Sequence, residues 1–473
     1  MALAGTPVRR GCVAVTQSGE MGRIRTGTLL LATLLAASLA AQTAPPATEG
    51  AEDPVVVSTD HPRLFLRPAR LRLLRRERER HSMRWQQFEA LIAGKAPMPE
   101  PGFAQALYYQ VSGEASAGRQ AIAWALGGAA DLRQMALVYD WCQSLLTESQ
   151  RRDLAARLAA RLAEPAADDS VPAASARALA AVALFDEVPQ TPDRELNRLV
   201  HTWWSRHIAV NLRAGHDIVP RDAGYALLEF LHALSDNARL DLRESCPGFF
   251  KDFPIEHLMS YYPAPYQGAE NEFYVGATRR PAEPDPRAAA LSRAAELAMV
   301  AYDPNGPETQ VLQGWLMHDR FLMRGPFGIP YEFLWANPYQ PGLSYYHVPL
   351  VYYNPDFGRL FIRSSWDDDA SWFGLFDGAT QTFAGGRPAL LNPQRQADPL
   401  NLKEAIVCFA AAGRRFQLTL EDATPVFVVS LQPRHTYTVE VDDEEMFEAS
   451  SDAGGVLELD DVPHGRPVGV RLQ

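Results

Sequence analysis

WWSRHIAVNLRAGHDIVPRDAGYALLEFLHAL, residues 203–234, sets two aromatic-rich helical patterns around a short polar loop. Its second half has apolar residues at Ala223, Ala226, Leu227, Phe230, Leu231 and Leu234, the i, i+3, i+4, i+7 spacing of a half-buried helix. Pro220 marks the start of that helix, because a proline in a first turn removes an N–H that has no intrahelical partner. His216 and Asp217 then lie just before a helix N-terminus, where free backbone donors and the helix dipole favour a carboxylate or sulfate. His207 and Asn211, four residues apart, share a face of the preceding helix.

Working outward, Thr191-Pro192 opens the helix that leads through Trp203 and Trp204 to Asn211, and residues 103–188 read as helix after helix. Met135, Leu137, Val138, Trp141, Leu145 and Leu146 make one apolar face, and Thr147 with Gln150 three residues later forms a capping box. A very basic helix is expected over 68–88 with its arginines on a solvated face, and further helices over 287–302 and 307–323. Roughly ten helices joined by short turns suit a bundle, solenoid or toroid. The character changes near residue 325. Residues 326–356, dense in Pro, Tyr and Trp, are expected to connect with little regular structure. Short strands are expected at 358–366, 371–376, 406–409, 415–420, 426–431, 436–441, 456–459 and 468–472, with 378–403 a loop. The acidic run at 439–455 lacks the spacing of a calcium loop and reads as an exposed hairpin.

The chain has 473 residues, 47% of them hydrophobic, enough for a large core and two or three domains. A basic segment at 21–25, an apolar run at 28–39 and Ser38-Leu39-Ala40 read as a secretory signal, the run being shorter than the roughly 20 residues a membrane span needs. Residues 1–20 read as a mis-called start. The expected organisation is a signal over 1–40, a linker over 41–58, an (α/α) toroid over 59–325, a connector over 326–356 and a β-sheet domain over 357–473. Export to the periplasm or the exterior follows, with no span in the mature chain.

The formal net charge of −12 argues against nucleic-acid binding, which needs a basic footprint. It also weighs against a polyanionic sugar unless arginines are focused in a cleft. Cys142, Cys246 and Cys408 imply no disulfide framework, and the first and last read as core thiols. No zinc motif and no phosphate-binding glycine loop is present, so neither metal nor cofactor is expected, and no pattern indicates an oligomeric state.

Three segments, HPRLFL at 61–66, VYDW at 138–141 and RSSWDDDASWFGL at 363–375, resemble the heparinase II/III-like and alginate-lyase-like proteins. The resemblance implies an incomplete (α/α) toroid followed by a small antiparallel β domain, and a lyase that cleaves uronic-acid polysaccharides by β-elimination. That chemistry needs a neutraliser for the C6 carboxylate, a base for the C5 proton and an acid for the leaving O4. By resemblance Asn211 and His216 fall in the neutraliser's region, and Tyr262 or Tyr266 of the 261–272 segment is the acid/base. The family's histidine-bearing loop after the RSxW segment is replaced here by FDGATQTFAGG, and the only histidines beyond Trp366 are His435 and His464. Either other residues do the chemistry, or the chain is a relative that binds carbohydrate without cleaving it.

Arg221 can hold a uronate in bidentate fashion or pair with Asp217 or Asp222. Asp222 equally suits the helix dipole. Asp217 or Asp222 with Glu270 or Glu272 gives the paired carboxylates of a toroid glycoside hydrolase, the alternative chemistry. Glu270 and Asn271 join Arg221, Asp217, Asp222 and Trp204 as candidate substrate-binding residues. Trp203, Trp204, Trp335 and Trp372 are candidates for sugar stacking or for core.

Overall fold

The computed structural model describes residues 55–473 apart from 167, 189, 269–271, 320–323 and 461. The secretory signal expected over 1–40 lies outside the described residues, as do Glu270 and Asn271.

Among the described residues thirteen α-helices precede residue 325. Burial sorts them into two layers. Val171–Leu184, Gly224–Ala238, Pro286–Tyr302 and Leu132–Trp141 are buried over most of their circumference, whereas Glu148–Ala163 buries only the stripe Leu154, Ala155, Leu158 and Leu162. A helix apolar nearly all round belongs inside, and one with a single stripe belongs outside. Pro101–Ser112 packs on Leu132–Trp141, which packs in turn on Val171–Leu184, Gly224–Ala238, Pro286–Tyr302 and Gly328–Trp335 in succession, and the last returns to the first. There Tyr331 meets Phe103 at 5.0 Å between ring centroids. Ala115–Ala125, Glu148–Ala163, Pro247–Met259 and Pro307–His318 pack against the flanks of this ring. The result is a helical toroid, followed by sheets.

Local signals set the helix ends. Thr147 and Gln150 form the expected capping box. The long helix past Thr191 does form, but its middle, Arg198–Ile208, is π-helical, and both Trp203 and Trp204 are buried. Two details correct the sequence reading. Residues 68–88 are two helices, Pro68–Glu79 and Met83–Ala93, because the Ser82 hydroxyl caps the second by accepting from the Trp85 N–H. Their arginines are not all solvated: Arg75 and Arg78 donate to the carbonyls of Gln110, Val111 and Ser112, the unpaired C-terminal acceptors of Pro101–Ser112. Second, the stretch expected to connect without regular structure holds the helix Gly328–Trp335 and the strand Val351–Asn354. Pro330 is tolerated because it falls in the first helical turn.

The β region is three stacked sheets. Five antiparallel strands come first, in chain order: Val351–Asn354, Arg359–Arg363, Trp372–Phe376, Ala379–Ala384 and Arg387–Leu390. The last two lie in the expected loop; Arg387–Leu390 is a mostly exposed edge, so it has no apolar pattern to find. Alternation does the layering. Phe361, Trp372 and Phe376 join the core of the toroid, while Leu360, Ile362, Phe373 and Leu375 face Val407, Phe409, Phe427 and Val429 of the middle sheet. The other face of the middle sheet, with Ile406, Cys408, Val426 and Val428, packs on the outermost sheet through Phe416, Tyr437, Val439, Val468 and Val470. Ile406–Phe409 and Val426–Val429 of the middle sheet are therefore buried on both faces and read as continuous apolar runs, whereas Thr436–Val441 and Pro467–Leu472 of the outermost sheet alternate. One pair among the described strands, Ile406–Phe409 with Val426–Val429, is parallel. The acidic run forms the expected hairpin, Thr436–Val441 with Glu445–Ser450. The three cysteines are buried and free.

Candidate functional site

Two of the three recognised motifs turn out to clamp the fold. Asp140 of VYDW accepts the backbone N–H groups of Arg63 and Leu64 at 2.8 to 3.1 Å and meets His61 Nδ1 at 2.5 Å, and Trp141 Nε1 donates to the Leu64 carbonyl. The Arg63 guanidinium donates to Asp186 and to the Val182 carbonyl. HPRLFL is thus tied across two inner helices and is far from free to act on a ligand.

The residues singled out around the 203–234 loop do not converge on one surface. Trp204 is fully buried; its Nε1 donates to Ser245 Oγ and its ring stacks on Phe230, so its place is the core. Asn211 donates to the His207 carbonyl one turn back. His216 is exposed and its ring has no partner among the described residues; Asp222 is exposed too. Asp217 caps Val219 and is bound by Arg359. Gly215, at φ +76°, allows this loop to lie against the Asp356 carbonyl, where a Cβ would clash at 2.1 Å. Tyr262 is buried, donates to Gln381 Oε1 at 2.8 Å and stacks on Phe383, and burial pushes its phenol up to about 12. Tyr266 is half-buried against Phe273.

Arg221 belongs to a buried ionic knot. It donates to Ser292 Oγ at 2.8 Å, Ser260 Oγ at 2.5 Å and Glu296 Oε1 at 3.1 Å. Gly276 makes room, since a Cβ there would strike the guanidinium. Glu296 also accepts from Tyr261 at 2.8 Å, lies 3.3 Å from His257 Nδ1 and pairs with Arg293, which binds Asp319. Burial alone would raise the Glu296 pKa, but Arg293, His257 and Arg221 outweigh it and hold the carboxyl below its ordinary value. Burial, helped by Arg221, pushes His257 down to about 4, so it is neutral. A second knot joins helix and sheet: Arg359 binds Asp217, Glu256 and Asp377. Burial outweighs Arg359 at Glu256, whose pKa is raised. All of these charges are committed to one another.

A different arrangement lines an open cleft of about 390 Å³ between the helix Pro307–His318 and the loop after Arg363. Tyr274, Trp315, Tyr345, Tyr346 and Trp366 supply its rings; Asp367, Asp368 and Asp369 supply carboxylates. Loop 364–371 is folded by its own serines: Ser364 Oγ accepts from the Ser371 N–H, and Ser365 Oγ from the Asp367 N–H. Trp366 lies 4.6 Å over the Arg363 guanidinium and 5.4 Å from Tyr345. Tyr345 and Tyr346 stack at 4.5 Å, with Tyr346 56% exposed. The Tyr274 hydroxyl donates to Asp368 at 2.5 Å; burial and that carboxylate raise its pKa and keep it a donor. Trp315 Nε1 and Arg363 Nε are buried without a hydrogen-bond partner. Trp315 also leans on Tyr261, 5.4 Å away, so the buried knot backs the cleft wall. Among the described residues no group of three or more His, Cys, Asp or Glu is placed to hold a metal ion, and no helix is long and apolar enough to cross a membrane.

No family model matches the chain, and no curated protein matches it. Among solved structures it is similar to one named glycoside hydrolase, at 10% identity and a TM-score of 0.29, over 79% of this chain and 71% of that one. At so loose an overlap the shared name transfers no chemistry. The cleft comes instead from RSSWDDD, quoted above only as a mark of resemblance, and from rings in three other segments. Its acid triplet is visible in sequence; the meeting of Tyr274, Trp315 and Tyr345 with it is not.

Proposed function

We propose that this chain is an exported carbohydrate-active protein that takes a saccharide into the aromatic cleft and, where it turns the chain over, hydrolyses it. The observation that carries the reading is the convergence of stacked rings with carboxylates: Tyr345, Tyr346 and Trp366 beside Asp367, Asp368 and Asp369. Sugar rings offer apolar C–H faces to aromatics and hydroxyls to carboxylates, and such sites combine a mostly apolar lining with a few placed polar groups. Glycosidic hydrolysis needs two carboxylates at the scissile bond, and the triplet offers three exposed ones. Elimination on a uronate needs a group that neutralises C6; Arg221 is engaged by Glu296, Asn211 donates to the His207 carbonyl, and the three aspartates of the cleft repel that carboxylate. The lyase reading keeps one support beside the resemblance, the exposed phenol of Tyr346.

The deciding experiment incubates the mature protein with uronate-containing and neutral polysaccharides while following ultraviolet absorbance and reducing ends together. Reducing ends without absorbance, abolished by Asp368→Asn, support hydrolysis. Both signals rising, with loss in Tyr346→Phe, establish a lyase. Silence in both with retained binding leaves a carbohydrate-binding protein without turnover.

A further inference from the structure

We infer that the saccharide this cleft accepts carries protonated amines, as in a glucosamine polymer; the inference rests on the saccharide reading above. The cleft presents three exposed carboxylates against one buried arginine among the described lining residues. Asp367, Asp368 and Asp369 are all exposed, and the carboxylates of Asp367 and Asp369 have no partner among the described residues. Asp368 accepts from Tyr274, a neutral donor, and its nearest charge within the fold is the buried Arg363 guanidinium. Among the described lining residues the one arginine, Arg363, is 1% exposed: its Nη1 donates to the Tyr261 carbonyl and Trp366 covers it, so a ligand does not touch its guanidinium. His318 is the remaining base among the lining residues. This differs from both ionic knots, where every carboxylate faces an arginine.

An amine meets this lining twice, through the carboxylates and through the exposed ring of Tyr346, since aromatic faces attract cations. A uronate would meet like charge from three aspartates. The unpartnered N–H of Trp315, on the same wall, remains for a sugar oxygen. The net charge of −12 also steers a polycation toward the protein.

The test is calorimetric titration of the full chain, at mildly acid pH, with a glucosamine oligomer, its fully N-acetylated counterpart and a uronate oligomer of equal length. The glucosamine oligomer is expected to bind about tenfold tighter than the acetylated one, two exposed ion pairs contributing a few-fold each, and to weaken with salt. Asp367→Asn with Asp369→Asn is expected to erase that advantage, so that the glucosamine oligomer binds no tighter than the acetylated one. Each single variant gives half the effect and serves if the double variant melts early. Equal or tighter binding of the acetylated or uronate oligomer, lost in Tyr346→Ala, overturns the amine inference and leaves the saccharide cleft standing. Absence of binding by all three overturns both.

Discussion

Two charged regions sit a ring apart in this protein, and they are opposites. Around Glu296, Arg221, Arg293, His257 and Tyr261 are packed so that each charge is answered inside the fold; around Asp367 to Asp369, on the far side of Trp315, charge is left open to solvent. Buried charge is retained only when paired, so the inner set speaks about folding. Exposed charge beside the exposed ring of Tyr346 speaks about a ligand. Residue type alone does not separate them: Arg221 looked like a uronate clamp and is a strut.

The contrast is broken most directly at its centre. Glu296→Ala leaves Arg221 without a carboxylate partner and Arg293 with Asp319 alone, and is expected to cost about 4 kcal/mol in urea denaturation. A loss comparable to that of a surface variant would mean that the knot is not structural. Arg359→Met strands Asp217 and Glu256 at the junction of helix and sheet, with an expected cost of about 3 kcal/mol.

Acidity sharpens the comparison. His257 is neutral in the fold, with its pKa near 4, but takes a proton when unfolded near its ordinary value of about 6.5. Between those values the unfolded chain binds more protons, so stability falls as pH drops, and the lowered Glu296 extends the same loss through its own folded value. Glu256, raised, has the opposite sign: its contribution is present in acid and lost as pH rises through its folded value. Stability measured across this range is expected to show a net acid loss that His257→Gln flattens and Glu256→Gln steepens. Tyr262→Phe, which strands Gln381 Oε1, is expected to cost about 1 kcal/mol and to leave any turnover intact, because the hydroxyl faces Gln381 and not the cleft. At the other extreme, His216→Ala and Asp369→Asn are expected to shift stability by less than about 0.5 kcal/mol, both being exposed. Only the second is expected to change saccharide binding, which thermal shift with oligosaccharide reads in one experiment.

The amino-acid order by itself determined the architecture: helices first and strands after, the capping box at Thr147, the strands Ile406–Phe409 and Thr436–Val441 to the residue, and the acidic hairpin. These are legible because helix period, strand alternation and turn chemistry act over a few residues. Where local pattern was weak it misled: Gly328–Trp335 was hidden by its proline and aromatics, and Arg387–Leu390 by an exposed edge. Partnership was decided only in three dimensions. Whether Arg221 meets a ligand or Glu296, whether Trp204 stacks on sugar or on Phe230, and whether Trp366 shares a cleft with Tyr345 all depend on contacts between residues tens of positions apart. Charge and aromaticity are properties of a side chain, but the burial and neighbours that turn them to structure or to binding are set by the packing of the whole toroid against its sheet.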